Sequence, residues 1–196
     1  TADSVGISWA DIDGIGAGIP GTTHKGTVSF ASNLGWYGVP FDKSLNSVIG
    51  KKVVSGNDAN CALLAEWRFG NAKGTSNAGL ITLGTGIGTA FIVEGKMLLG
   101  NLSAGTEGGH MVIKSGGRAC NCGLQGCWEA YASTTALLNA TEREIEANPS
   151  GITAAIAKER GKMDGETIFH ALRRGDTRAR AVFDIYLDDV AVGLIN

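Results

Sequence analysis

The chain has no run of about 18 consecutive apolar residues, so no membrane-spanning helix is expected. Its beginning has neither the basic start nor the apolar segment of a secretion signal. Neither sign of charge is in excess: 17 basic against 19 acidic side chains leave a formal net charge of -2, too little to hold a nucleic acid backbone or an anionic membrane. Cysteine is scarce. There are four in 196 residues, three of them in one loop, which is not the dispersed spacing of a secreted disulfide framework. These absences point to small-molecule or protein partners and to a reducing, cytoplasmic setting.

What is abundant is glycine: 30 residues, roughly twice the usual share of about 7%. The glycines fall in short clusters, the pattern of tight turns and close backbone approach to a ligand. With 43% apolar residues the chain reads as a folded protein with room for one sizeable core or two small ones.

Along the chain, a short strand is expected at 12–18, ending in a turn at Pro20 and Gly21. A strand at 52–55, a turn at Gly56 and Asn57, and an amphipathic helix over 59–69 make an α/β unit. "AGLITLGTGIGTAFIVEGKMLLG" reads as a β-meander: a strand to Leu83, a glycine turn at 84–88, a strand to Val93, a Glu94–Gly95 turn and a third short strand. From Trp128 the pattern becomes helical, with helices expected over 128–147, 152–160, 164–176 and 177–196.

Three stretches carry chemistry. In "CNCGLQGCWE" the spacing Cys120-x-Cys122-x4-Cys127 gathers three thiols on one loop, with Gly116, Gly117, Gly123 and Gly126 supplying turns. His110 can complete a tetrahedral Cys3His zinc set; a redox pair or a merely sulfur-rich loop are the alternatives. Cys61 is expected to be a buried small hydrophobe. "LGTGIG" joins two strands through backbone amides that can wrap phosphate oxygens, although no Gly-Lys-Ser/Thr follows and a purely structural hairpin reads equally well. In "GNDAN", Asp58 stands at a strand-to-helix junction, either as the helix N-cap or as a general base.

The order Gly-Asn-Asp, Leu-Gly-Thr-Gly-Ile-Gly, Glu-x-Gly-His, Cys-x-Cys-Gly-x-x-Gly-Cys-x-Glu resembles the ROK family of sugar kinases and sugar-responsive repressors, above all its bacterial glucokinases. The resemblance implies the two-domain hexokinase and actin-like ATPase (ribonuclease H-like) α/β fold. Residues 1–70 would belong to the N-terminal sugar-binding domain, and 71–196 to a larger C-terminal domain carrying the zinc loop. It implies ATP-dependent phosphorylation of a hexose at the 6-hydroxyl, with structural Zn²⁺, Mg²⁺ accompanying ATP, and a homodimer or homotetramer.

By the same resemblance Asp58 would be the catalytic base, while Gly21, Asn33, Asn57, Glu107, His110 and Glu129 would also contact the sugar. Gly84, Thr85 and Gly86 would face the ATP phosphates, and His110, Cys120, Cys122 and Cys127 would hold zinc. Thr89 and Ala90 stand where the family often has further glycines. The family's Asp-x-Gly-Gly-Thr phosphate loop would precede Thr1 and its adenosine loop would follow Asn196, so the chain is expected to be a fragment. The alternative is the non-catalytic sugar-sensing domain of a ROK-type repressor, marked by a DNA-binding helix-turn-helix before Thr1. A zinc-knuckle nucleic acid binder is disfavoured by the single Arg and single Trp of "RACNCGLQGCWE".

Overall fold

A computed structural model describes Ser4 and residues 6–196; residues 1–3 and 5, with which the expected 1–70 domain begins, lie outside the described residues. The chain divides into two compact units, the first running to Ile81 and adding Thr89–Glu107, the second comprising Thr82–Gly88 and Gly108–Asn196. Both mix helices and extended chain, as an α/β reading requires.

In the first unit, β1 (Gly14–Ile19) pairs in parallel with β5 (Lys52–Asn57), Ile19 facing Asn57. The strand extends through Gly56 and Asn57, where a turn is expected from sequence. Parallel pairing through Ile19 keeps these residues in the ladder until α2 (Asp58–Phe69) begins directly. Between them lie an antiparallel sheet of β2 (Thr22–His24), β3 (Thr27–Ala31) and β4 (Trp36–Val39), and helix α1 (Phe41–Ile49). Ile19, Val28 and Ala31 form one small core with Trp36, Val39 and Phe41.

The meander follows as β6 (Ala78–Leu83), β7 (Ile87–Val93) and β8 (Lys96–Met97). Glu94 and Gly95 both have positive φ, 50° and 71°, the two-residue turn whose twist suits a hairpin. Ala59 and Leu63 of α2 pack on Ala90 and Ile92 of β7, so burial of one helical face fixes α2 against the meander.

The second unit holds the tip of that hairpin, the cysteine loop and helices α3 (Glu129–Ala132), α4 (Thr134–Ala147), α5 (Ile152–Arg160), α6 (Gly165–Arg173) and α7 (Thr177–Ile195). The single helix expected over 128–147 is two. Ser133 adopts extended dihedrals (φ -77°, ψ 164°) and its hydroxyl accepts from the Ala136 N–H, so one residue ends α3 and caps α4. Leu137, Ile156, Ile168, Ala171 and Ala179 make the core of the bundle. Trp128, 1% exposed, donates its indole N–H to the Asp189 carbonyl of α7 at 2.9 Å, and Lys114 of the cysteine loop meets the Asp189 carboxylate at 2.7 Å. Among the described residues no helix is long and apolar enough to cross a membrane.

Candidate functional site

At the C-terminal ends of β1 and β5, where ligands bind to parallel sheets, the chain places Gly21, Asn57 and Asp58. Asn57, not Asp58, is the N-cap of α2: its Oδ1 accepts from the Asn60 N–H at 3.0 Å, while its Nδ2 donates to the Gly21 carbonyl at 3.1 Å. Gly21 has φ 126°, and a Cβ there would collide with the Phe30 carbonyl and Ala31, so only glycine lets the β1–β2 link press onto β3. Asn33 lies exposed in the short helical turn Ser32–Leu34 that follows β3.

Asp58 is thereby relieved of capping. It is exposed, and among the described residues its carboxylate accepts through Oδ1 from the Ala59 N–H at 2.9 Å. A negative charge at a helix N-terminus is favoured by the helix dipole. Cys61, one turn further along α2, is exposed rather than buried: the face carrying Ala59, Asn60 and Leu63 turns inward, leaving Cys61 beside Gly56. Partial burial, then the Asp58 charge, raise its thiol above the usual value.

Glu107 is exposed at the end of the segment after β8. Two contacts steady that segment: the buried Thr89 hydroxyl donates to the Thr106 carbonyl, and His24 Nδ1 lies 3.3 Å from Ser103 Oγ, a residue with φ 59°. The sequence marks Thr89 only as a departure from the family's glycines, because a threonine in a strand gives no local sign of what its hydroxyl will reach.

In the second unit the four expected zinc donors meet. His110 Nδ1 lies 3.6 Å from Cys120 Sγ, Cys122 Sγ lies 3.6 Å from Cys127 Sγ, and the four donor atoms all fall within 4.8 Å of one another. A tetrahedron with metal–sulfur bonds of about 2.3 Å has sulfur–sulfur edges of about 3.8 Å, so the donor set fits Zn²⁺ in kind and in spacing. Its three cysteines are free thiols. Burial pushes Cys127 up to about 12 and also raises Cys120; for Cys122 burial is outweighed by hydrogen bonds from the chain at Leu124 and from its neighbouring thiols, which lower it. Binding of a metal cation would draw the protons off all three.

The glycine turn sits in the same unit. Thr134 N donates to the Gly84 carbonyl at 2.9 Å, the Thr134 hydroxyl to Leu83 O at 3.2 Å, and the Thr135 hydroxyl to Thr85 O at 2.8 Å. Glu129, first residue of α3 and half-buried, accepts from the Ile87 N–H through Oε2 at 2.9 Å, with Oε1 3.9 Å from Cys120 Sγ. Thr134 and Thr135 carried no signal of this role because their partners lie about fifty residues away in sequence. Beside the turn is a cavity of about 550 Å³ whose lining includes Leu83, Thr134, Lys162, Phe169, Phe183 and Tyr186.

Residues 8–196 match the model of the ROK family. The chain is 37% identical over 180 residues to the glucokinase of Thermotoga maritima, covering 90% of this chain and 57% of that protein. It is 34% identical over 188 residues to a putative xylose repressor of a Caldicellulosiruptor species, covering 93% of this chain and 46% of the repressor. Its backbone follows that of a ROK family glucokinase from Streptomyces griseus, crystallised in complex with glucose and AMPPNP, with a TM-score of 0.86 at 33% identity, over 97% of this chain and 62% of that one. The chain thus spans about half the length of the curated relatives it matches. With its matched span running from residue 8 to the last residue, and with more than a third of its residues shared with a glucokinase, the chain belongs to the ROK family.

Proposed function

We propose that this chain supplies the sugar-facing and phosphate-facing residues of an ATP-dependent kinase that phosphorylates a hexose, glucose or a close relative, at its 6-hydroxyl. The observation that carries the reading is the division of labour at the start of α2. Asn57 takes the structural task of capping the helix and tying down Gly21, which leaves the Asp58 carboxylate exposed to meet a hydroxyl. Asp58 gives the helix one oxygen, Oδ1 to the Ala59 N–H, and Oδ2 has no partner among the described residues.

In this mechanism Asp58 accepts the proton of the sugar hydroxyl as the oxygen–phosphorus bond forms, a contribution of about 10²–10⁴ in rate for a positioned base. The remainder is alignment of the hydroxyl with the γ-phosphorus. Gly21, Asn33, Asn57, Glu107, His110 and Glu129 hold the ring, the carboxylates accepting pairs of hydroxyls and so rejecting sugars that lack one. The Gly84–Gly86 turn takes the phosphates, and the aromatic wall of Phe169, Phe183 and Tyr186 beside it suits the nucleotide base. Mg²⁺ arriving with ATP would neutralise phosphate charge. Zn²⁺ held by His110, Cys120, Cys122 and Cys127 would be structural, a closed set without an open position. His110 directs Nδ1 toward the cysteines, so Nε2 is left for a sugar hydroxyl. We place the protein in the cytoplasm as a homodimer or homotetramer.

The likeness to a xylose repressor supports a second reading, a sugar-sensing domain that binds its ligand without turnover. The two separate in one assay. Incubation of the intact protein with glucose, Mg²⁺ and ATP, followed by phosphorus NMR, yields hexose 6-phosphate if the kinase reading holds. Tight sugar binding with no phosphorylated product from a panel of hexoses supports the sensor and overturns the kinase.

A further inference from the structure

We propose that Glu129 is a positioning residue for the phosphoryl donor: its carboxylate pins the glycine turn so that the Thr85 and Gly86 N–H groups face the incoming phosphate. This rests on the kinase reading above and deepens it, since there Glu129 serves only the sugar.

The turn's polar groups divide cleanly. The carbonyls of Leu83, Gly84 and Thr85 are held by the first residues of α4, and the Gly86 carbonyl accepts from the Gly84 N–H at 3.0 Å. The Ile87 N–H goes to Glu129 and the Gly88 N–H to the Thr82 hydroxyl at 3.2 Å. Two donors remain, the N–H groups of Thr85 and Gly86, for which no partner is recorded among the described residues. A turn whose oxygens face the protein and whose spare groups are amides is built for an anion.

Two pins hold it, and the break at Ser133 lets both reach. In one continuous helix Glu129 and Thr134, five residues apart, would point about 140° away from each other. Because Ser133 ends α3 and restarts the chain as α4, the first residues of both helices close on the same turn. Gly86 fits this account. It is not among the glycines with positive φ, so its backbone does not require glycine; a Cβ at this position would run into the Glu129 carboxylate. The missing side chain makes room for the pin.

The test uses the intact protein and three variants, Glu129→Ala, Glu129→Gln and Gly86→Ala. Affinity for a non-hydrolysable ATP analogue is measured by calorimetry without sugar, and amide hydrogen exchange is followed at Ile87. Glu129→Ala should weaken the analogue by about tenfold or more and speed exchange at Ile87. Glu129→Gln keeps an oxygen that accepts from Ile87, so it should hold analogue affinity within about threefold even where hexose binding falls. Gly86→Ala leaves Glu129 in place but displaces its carboxylate, and should reproduce the fast exchange at Ile87 should Glu129→Ala fail to fold. Wild-type analogue affinity and wild-type Ile87 protection in Glu129→Ala, or in Gly86→Ala if that variant alone folds, overturn this proposal alone. A wild-type protein that binds no ATP analogue overturns the kinase reading and the donor role together.

Discussion

The side chain of Asn57 caps helix α2 and reaches back to Gly21, and its neighbour Asp58 is left exposed. Asn57→Ala should therefore cost about 1 kcal/mol of stability through the lost cap, with a further loss of hexose affinity as Gly21 is released. Asn57→Ser restores an acceptor for the Asn60 N–H but is too short to hold Gly21. Urea midpoints close to wild type, combined with weakened hexose binding, are expected for Asn57→Ser. Equal stability loss in both variants would remove the cap from the account.

The zinc set leads to a second expectation. Cys122→Ala removes a donor that has no place against the sugar in the proposed site, yet it should release zinc and loosen the loop that orients His110 and Glu129. Zinc content by elemental analysis should fall to background, and hexose affinity by calorimetry should drop about tenfold, equal to about 1.4 kcal/mol. A folded, zinc-free variant that binds hexose as wild type does would make the metal a staple with no bearing on the sugar.

Asp176 supports a third prediction, on stability. Buried at the start of α7, its carboxylate accepts from Thr153 N and Oγ1 and from the N–H groups of Arg178 and Ala179. Burial alone would raise its pKa, but the Thr153 and helix hydrogen bonds outweigh burial and lower it below the ordinary 3.8. A depressed folded value means that this stabilisation is complete above the unfolded pKa and is lost as pH falls through the folded one. Asp176→Ala should cost about 2–4 kcal/mol at pH 7, and its deficit relative to wild type should shrink as pH drops below about 4. A deficit in urea midpoint that is constant from pH 7 to pH 3 would contradict the assignment.

Much of the local structure was legible because its signals are local. The Glu94–Gly95 turn, the helix over 59–69 and the convergence of His110 with three cysteines follow from residue type and spacing within a short window. Three features were not. The short strands β2 to β4 carry weak patterns, and the β2–β3 turn places Lys25 at φ 48°, which no sequence rule marks. Ser133 looks like an interior helical residue until its hydroxyl is seen to cap the next helix. The work of Thr89, Thr134 and Thr135 depends on partners 17, 51 and 50 residues away, set by tertiary packing. The capping of α2 by Asn57 rather than Asp58 is a one-residue matter, within the usual uncertainty of helix ends, yet it changes what Asp58 is free to do.

The measurement closest to the central claim is turnover of Asp58→Asn in the intact protein, beside its hexose affinity. Asparagine keeps the shape and the oxygen that accepts from the Ala59 N–H, but it cannot take a proton. The account predicts hexose affinity within about threefold of wild type and a fall in kcat by about 10² or more. Wild-type-like kcat would contradict it and remove Asp58 from the role of base.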